Sequence, residues 1–304
     1  MRRLLPLLLA VVAPAAAAQT PALGPEFPVN TYTTGAQTAP AVAAADSGGF
    51  VLAWESLNQD GSQLGVFARV FGADGAPLSG EIPVNTHTTS NQREPSVAAD
   101  DAGNFVVVWR GSGQDGSGDG IFGQRFDADG VPAGAEFQVN TFTTSSQEVP
   151  AVSMNGTGEF VAVWQSFAGD ANGFGIAGRR FDAAGAAQGP EFQVNAHTTG
   201  NQERPRVAID ASGGFVVVWD TPGQDGNFLG VFGRRFDASG VAVSSEFSVN
   251  TYTTGDQAAP DVAIGSDGRF AVVWRSAAQD GSELGVFARR YDAANVPVGG
   301  EFPV

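Results

Sequence analysis

An all-β chain of five like units, each a four-stranded antiparallel sheet, is predicted by three observations. The five Trp, at 54, 109, 164, 219 and 274, recur at a fixed interval of 55 residues. Each interval contains four short runs of alternating, β-branched or aromatic residues, separated by turns rich in Gly and Asp. No segment sustains a 3.6-residue apolar period, so almost no helix is expected.

The elements follow in order within one repeat, residues 81–135. Glu81-Ile82-Pro83-Val84-Asn85 alternates apolar and polar, as a half-buried strand does. The polar stretch Thr86 to Arg93 leads to a second strand at Pro95-Ser96-Val97-Ala98. After the turn Asp100 to Asn104, Phe105-Val106-Val107-Val108-Trp109 is apolar throughout, the pattern of a strand covered on both faces. A Gly-rich loop, Arg110 to Gly120, precedes the fourth strand, Ile121 to Phe126, and Asp127-Ala128-Asp129-Gly130 turns the chain into the next copy. The Trp interval also links Asn30, Asn85, Asn140, Asn195 and Asn250, and Pro40, Pro95, Pro150, Pro205 and Pro260.

Four strands at this period fit a propeller blade, because blades packed around an axis bury both faces of each sheet. The chain resembles the β-propeller class, in a five-bladed form. More narrowly it resembles tandem repeats of the pattern V-V-W…Q-D-G-S…G-V-F-G-x-R-F-D found in secreted bacterial proteins. The matching residues include Phe215 to Trp219, Gln224-Asp225-Gly226 and Gly230 to Asp237. The resemblance implies a fold and an export route and carries no catalytic residue. Within a blade, the Pro-x-Val-Ala strand lines the axis and the Glu-Phe-x-Val-Asn strand lies at the rim. Six such rim pieces exist for five blades, the extremes being Glu26 to Thr31 and Glu301 to Val304. Either end could complete blade 5, and the surplus piece would be an edge able to pair with another chain.

Arg2, Arg3, the apolar run Leu4 to Val12 and the small residues through Ala18 read as a signal peptide over residues 1–18. Residues 19–25 are then a linker and 26–304 one propeller domain, exported to the periplasm or cell exterior. No later run is long enough to span a membrane. There are 32 acidic residues against 16 Arg and no Lys, a net charge of −16, which disfavours nucleic acid and anionic lipid as partners. The absence of Cys excludes disulfides and thiolate sites, and two His, His87 and His197, cannot form a three-His zinc site.

Candidate site residues fall into three groups. The Thr-Thr-x-x-Gln loops supply Gln37, Gln92, Gln147, Gln202 and Gln257. The Gln-Asp-Gly loops supply Gln59, Asp60, Gln114, Asp115, Asp170, Gln224, Asp225, Gln279 and Asp280. Both loop sets are expected on one propeller face, where amides and carboxylates could meet sugar hydroxyls. The positions at which repeats differ, Arg93, Glu94, Glu148, Glu203, Arg204, Arg206 and Asp261, are expected at the axial mouth. Asp115, Ser117 and Asp119 place oxygens at positions 1, 3 and 5 of a loop with Gly at 6, like the front half of a calcium loop, although position 12 is Phe126. The recurrent Asp also suits an Asx-turn. The Trp ring suits blade packing, the His register (Tyr32, His87, Phe142, His197, Tyr252) suits stacking, and the paired Arg of Arg179-Arg180 suit ion pairs.

The function expected from these residues is a secreted, non-catalytic binding module, lectin-like or adhesive, a monomer meeting a glycan or a surface protein through repeated weak sites. Two alternatives stand beside it. One is a structural or protein-interaction propeller with an axial or edge-strand contact. The other is a glycosidase at the central channel, for which Glu94, Glu148, Glu203 and Asp261 could supply the paired carboxyls.

Overall fold

The computed structural model describes residues 25–169 and 172–304. The expected signal peptide, and residues 19–24 of the linker, lie outside the described residues. All regular structure within them is strand. Blade 1 comprises β1 (Gln37–Ala44), β2 (Phe50–Leu57), β3 (Leu64–Phe71) and β4 (Ile82–Pro83). Blade 2 comprises β5 (Gln92–Ala99), β6 (Phe105–Ser112), β7 (Asp119–Phe126) and β8 (Phe137–Gln138). Blade 3 runs through β9 (Gln147–Met154), β10 (Phe160–Phe167), β11 (Phe174–Phe181) and β12 (Phe192–Gln193). Blade 4 has β13 (Glu203–Ile209), β14 (Phe215–Pro222), β15 (Leu229–Phe236) and β16 (Phe247–Ser248). Blade 5 has β17 (Gln257–Ile264), β18 (Phe270–Ala277), β19 (Leu284–Tyr291) and β20 (Phe302–Pro303). Each blade is one antiparallel sheet in chain order, which is the five-bladed propeller architecture the repeat predicts.

The second strand of each repeat is the buried one. Val106, Val107, Val108 and Trp109 are wholly shielded because one face meets blade 1 and the other blade 3. Trp109, Trp164, Trp219 and Trp274 pack in these inter-blade cores, as expected, and Trp54 is buried outside them. The first strands of successive blades lie side by side around a channel of about 530 Å³. The rim strands are shorter than predicted, two residues each. After them, Asn85, Asn140, Asn195 and Asn250 turn inward and accept from the backbone N–H of Val66, Ile121, Ile176 and Val231 through Oδ1, at 2.7–2.8 Å.

The innermost strand carries a bulge that the sequence reading did not predict. The register slips at the residue before each Pro, and Ala39, Glu94, Val149, Arg204 and Ala259 all adopt φ near +50°. That left-handed conformation is costly for a non-Gly residue and persists only where surroundings hold it. Here the holding group is an acceptor from the preceding blade. Glu94 N donates to Glu55 Oε1 at 2.6 Å, Arg204 N to Gln165 Oε1 at 3.2 Å, and Ala259 N to Asp220 Oδ2 at 2.8 Å. The residue after the Trp is thus an acceptor of varying type in three blades, Glu55, Gln165 and Asp220, whereas Arg110 and Arg275 stand there in the other two.

Of the paired Arg, Arg235 forms an ion pair, with Asp210 at 3.6 Å, and Arg179, Arg180, Arg234 and Arg289 reach backbone carbonyls more than carboxylates. Arg179, Arg234 and Arg289 each donate to a carbonyl of the preceding blade, at Val139, Val194 and Val249, within 2.9–3.0 Å. Arg180 and Arg235 reach forward to the carbonyls of Ala238 and Ala293 in the following blade. A guanidinium with five donors can stitch neighbouring blades through carbonyl oxygens with no partner charge.

Four apolar cores join the five blades in sequence, and among the described residues none joins blade 5 to blade 1. Val273 is 37% exposed where its blade 4 equivalent, Val218, is 0%, and Val286 and Val42 are 51% and 63% exposed. The surplus rim piece accounts for this seam. Blade 5 is completed locally by β20, paired to β19. The N-terminal segment does not form an edge strand; it occupies the surface of blade 1 that receives a preceding rim. Phe27 packs on Phe71 at 5.5 Å, as Phe137 packs on Phe181 at 5.6 Å, and the Val29 carbonyl accepts from Arg69 at 2.7 Å, as Val139 does from Arg179. Two rim pieces compete for one surface, and the N-terminal piece holds it.

Candidate functional site

The two repeated loop sets fold onto themselves. Gln92, Gln147, Gln202 and Gln257 are fully buried, and Gln37 is half-buried. Each takes an amide hydrogen from the Asn seven residues earlier, for instance Asn195 Nδ2 to Gln202 Oε1 at 2.9 Å. Each also donates to a carbonyl of its own loop, such as that of Thr89. Asp60, Asp115, Asp225 and Asp280 make Asx-turns, accepting from the backbone N–H two residues on at 3.0–3.1 Å. Asp170 lies outside the described residues. Gln59, Gln114, Gln224 and Gln279 donate to the rim carboxylates Glu81, Glu136, Glu246 and Glu301. Those carboxylates also accept from the next loop, including the backbone N–H of His87 and His197. Side chains committed in this way brace the loops and leave few groups for a sugar.

Of the seven divergent positions expected at the axial mouth, three reach the channel lining. Glu94, Arg206 and Asp261 line the channel. Glu203 accepts from Asn201 at 2.9 Å, and Arg204 clasps Asp220 with two bonds, at 2.8 and 3.0 Å. Asp220 was not among the predicted site residues. Burial raises its carboxyl above the ordinary value, against the pull of Arg204.

Of the two blades with Arg at this position, blade 2 is the one whose Arg lies between joined blades, 2 and 3. Position 110 carries Arg, which has no acceptor for the bulge N–H of Val149. Glu94 Oε2 supplies it instead, at 3.1 Å. Arg110 turns to three carboxylates: Glu94 at 3.3 Å, Glu148 at 3.0 Å, and Asp119, which receives Nε at 2.8 Å and Nη2 as well. Arg93 lies close enough to act on Asp119 and Glu148 through its charge. Sequence reading identified the individual members and missed Arg110 as their hub. The available signal was that position 110, like position 275, carries Arg where the other blades carry Glu, Gln or Asp.

The three carboxyls are not equivalent. Burial pushes Glu148 up, and the negative charges of Glu94 and Asp119 add to it, against the attraction of Arg110. Burial also works to raise Asp119, but hydrogen bonds from Ser112 and Arg110 and the Arg110 charge outweigh it and hold Asp119 below its ordinary value. Glu94 is the most exposed of the three and faces the channel. One carboxyl held above its ordinary value beside another held below is the kind of divergence that acid–base sites use.

The calcium reading does not fit this geometry. Asp119 is bound to a guanidinium, Asp115 Oδ1 is committed to Ser117 N, and among the described residues no three His, Asp or Glu converge as metal ligands. No helix among the described residues is long and apolar enough to cross a membrane.

No protein-family model matches the chain, and no curated protein sequence does either. Solved structures do share its fold. One is a protein of unknown function from Dyadobacter fermentans, with TM-score 0.60 and 12% identity over 88% of this chain and 82% of that one. A second is the Hadza microbial sialidase Hz136, with TM-score 0.55 and 10% identity over 86% of this chain and 57% of the sialidase. A third is the α-L-arabinanase of Penicillium chrysogenum, solved with arabinobiose, with TM-score 0.53 and 15% identity over 84% and 77%. At these identities the likeness shows the β-propeller fold. The expectation of a non-catalytic, lectin-like or adhesive binder, and with it the expectation of no enzyme, is corrected on two findings. The matched propellers with named activities are glycoside hydrolases, and the loops meant to form five equal sugar sites are consumed by their own hydrogen bonds.

Proposed function

We propose that this chain is a glycoside hydrolase acting at the axial mouth between blades 2 and 3. The observation that carries the reading is the pair of unlike carboxyls on one guanidinium. Glu148, raised by burial, is the general acid that protonates the departing glycosidic oxygen. Glu94, facing the channel on the same Arg110, is the carboxylate that meets the anomeric carbon or activates water. Arg110 positions both, and Asp119 anchors Arg110. The match to an arabinanase and a sialidase supports this class of reaction. A net charge of −16 favours a neutral glycan over a sialylated one. An exported location, as the N-terminal sequence reads, suits a polymeric substrate.

The test is release of reducing ends from a panel containing debranched arabinan, xylan and a sialyl-lactose. Glu148→Gln and Glu94→Gln are each expected to lose about 10²–10⁴-fold in rate, whereas Glu203→Gln, outside the Arg110 cluster, retains it. Hydrolysis of none of the panel, or full activity in Glu148→Gln, would overturn the proposal.

A further inference from the structure

Blade 3 lacks a side chain that the other four blades share. The column Gln59, Gln114, Gln224, Gln279 reads Gly169 in blade 3. In the other blades the Gln amide is bound through its nitrogen, while its buried Oε1 has no partner among the described residues. Its Nε2 donates to the rim carboxylate, and in blade 2 its Oε1 lies 2.9 Å from where a Cβ on Gly111 would stand. The blade 3 equivalent of Gly111 is Ser166.

Where the missing side chain would lie there is a cavity of about 280 Å³, close to the lower end of small-ligand sites at roughly 300 Å³. Ser166, Gly169, Thr141, Phe142, Glu191 and Phe192 line it. The rim carboxylate persists. Glu191 uses Oε2 to accept from Thr141 N at 2.7 Å and Phe142 N at 3.2 Å, and its Oε1 accepts no bond among the described residues. Ser166 is 2% exposed, and its Oγ has no partner among them. That oxygen would lie 2.9 Å from a Cβ added at Gly169, so it faces the space the Gln would enter. A buried hydroxyl left unmatched is costly, and a ligand that pairs with it recovers the cost.

We infer that this cavity binds a carboxamide group, as a free small amide or as the acetamido substituent of an amino sugar. The amide N–H donates to Glu191 Oε1, the amide oxygen accepts from Ser166 Oγ–H, and the methyl lies against Phe142 and Phe192. The first contact reproduces the one the chain's own Gln makes with the rim carboxylate in the other blades, and the second satisfies the hydroxyl that blade 3 leaves unpartnered. The site shares no lining residue with the axial channel, and its readout does not depend on hydrolysis.

The experiment is an amide-NMR titration of the full chain with acetamide, with N-acetylglucosamine, and with glucose as control. Saturable shifts at Ser166 and Glu191 are expected with acetamide and none with glucose. Equal or tighter binding of N-acetylglucosamine assigns the source to an amino sugar, and binding of acetamide alone assigns it to a small amide. Gly169→Gln should fold, because blades 1 and 5 already combine this Gln with Ser56 and Ser276, and should abolish the shifts. Glu191→Gln should weaken binding about tenfold, the loss of a charge-assisted hydrogen bond. No shift at Ser166 and Glu191, or the same shift in Gly169→Gln, would overturn the inference.

Discussion

Replacing Arg110 by Gln removes the only cation that touches Glu94, Asp119 and Glu148 together. The guanidinium side chain is 14% exposed and its partners range from 13% to 36%. Deleting one member of a fully buried pair costs about 3–5 kcal/mol. Partial exposure lets water screen the residual repulsion, so about 2–3 kcal/mol is expected here. For a domain of this size that is a fall of about 5–10 °C in Tm. The deficit should depend on pH with a definite sign. Without Arg110, Asp119 and Glu148 lose the charge that draws them down, their folded pKa values rise, and stability is lost as pH rises through the folded values. Thermal unfolding of wild type and Arg110→Gln at pH 7.5 and pH 5 measures this. The gap should be wide at the higher pH and narrow at the lower. A variant as stable as wild type at pH 7.5, or an equal gap at both, would refute the reasoning.

Four further predictions rest on the same contacts. Glu148 is raised, so its charge is unfavourable to the fold above its ordinary value; Glu148→Gln should match or exceed wild-type Tm at pH 7, the difference vanishing toward pH 4. Asp119 is lowered, so Asp119→Asn should be less stable at pH 7, the difference vanishing as pH falls below 3.8; unfolding curves of the same sign for both variants would contradict the assignment. Val218→Asp, in a closed core, should cost more than about 4 kcal/mol and unfold the chain, whereas Val273→Asp at the seam should cost under about 1 kcal/mol; denaturant titration decides, and equal damage would mean that blades 5 and 1 meet in solution. Asp220→Ala strands Arg204 and the Ala259 N–H and should cost about 3 kcal/mol by the same measurement.

The blades were legible in the sequence because a sheet buried on both faces demands the run Phe105 to Trp109, and because turn chemistry recurs with the repeat. The bulge before each Pro was not legible. It depends on an oxygen arriving from another blade, as Glu55 does for Glu94, and no local pattern reports that. The amides of the Thr-Thr-x-x-Gln loops were read as display groups because loops usually face solvent. Gln202 instead points inward to satisfy Asn195, a pairing seven residues apart that follows neither a helical nor a strand period. The mouth was half legible: unequal charges at 93, 94 and 148 marked a place where a scaffold needs none. Their meaning came only when Arg110 and Asp119, from different strands, closed around them. The seam followed from counting six rim pieces for five blades, but which end held blade 1 required the contacts of Phe27 and Val29.

The central claim is that burial holds one carboxyl at this mouth above its ordinary value while hydrogen bonds and the Arg110 charge hold its neighbour below. A titration of carboxyl-labelled protein by carbon NMR, with Glu148→Gln and Asp119→Asn to assign the two resonances, measures this without any substrate. The account predicts that Glu148 titrates above 4.5 and Asp119 below 3.8. Both groups at their ordinary values, or the reverse order, would contradict it.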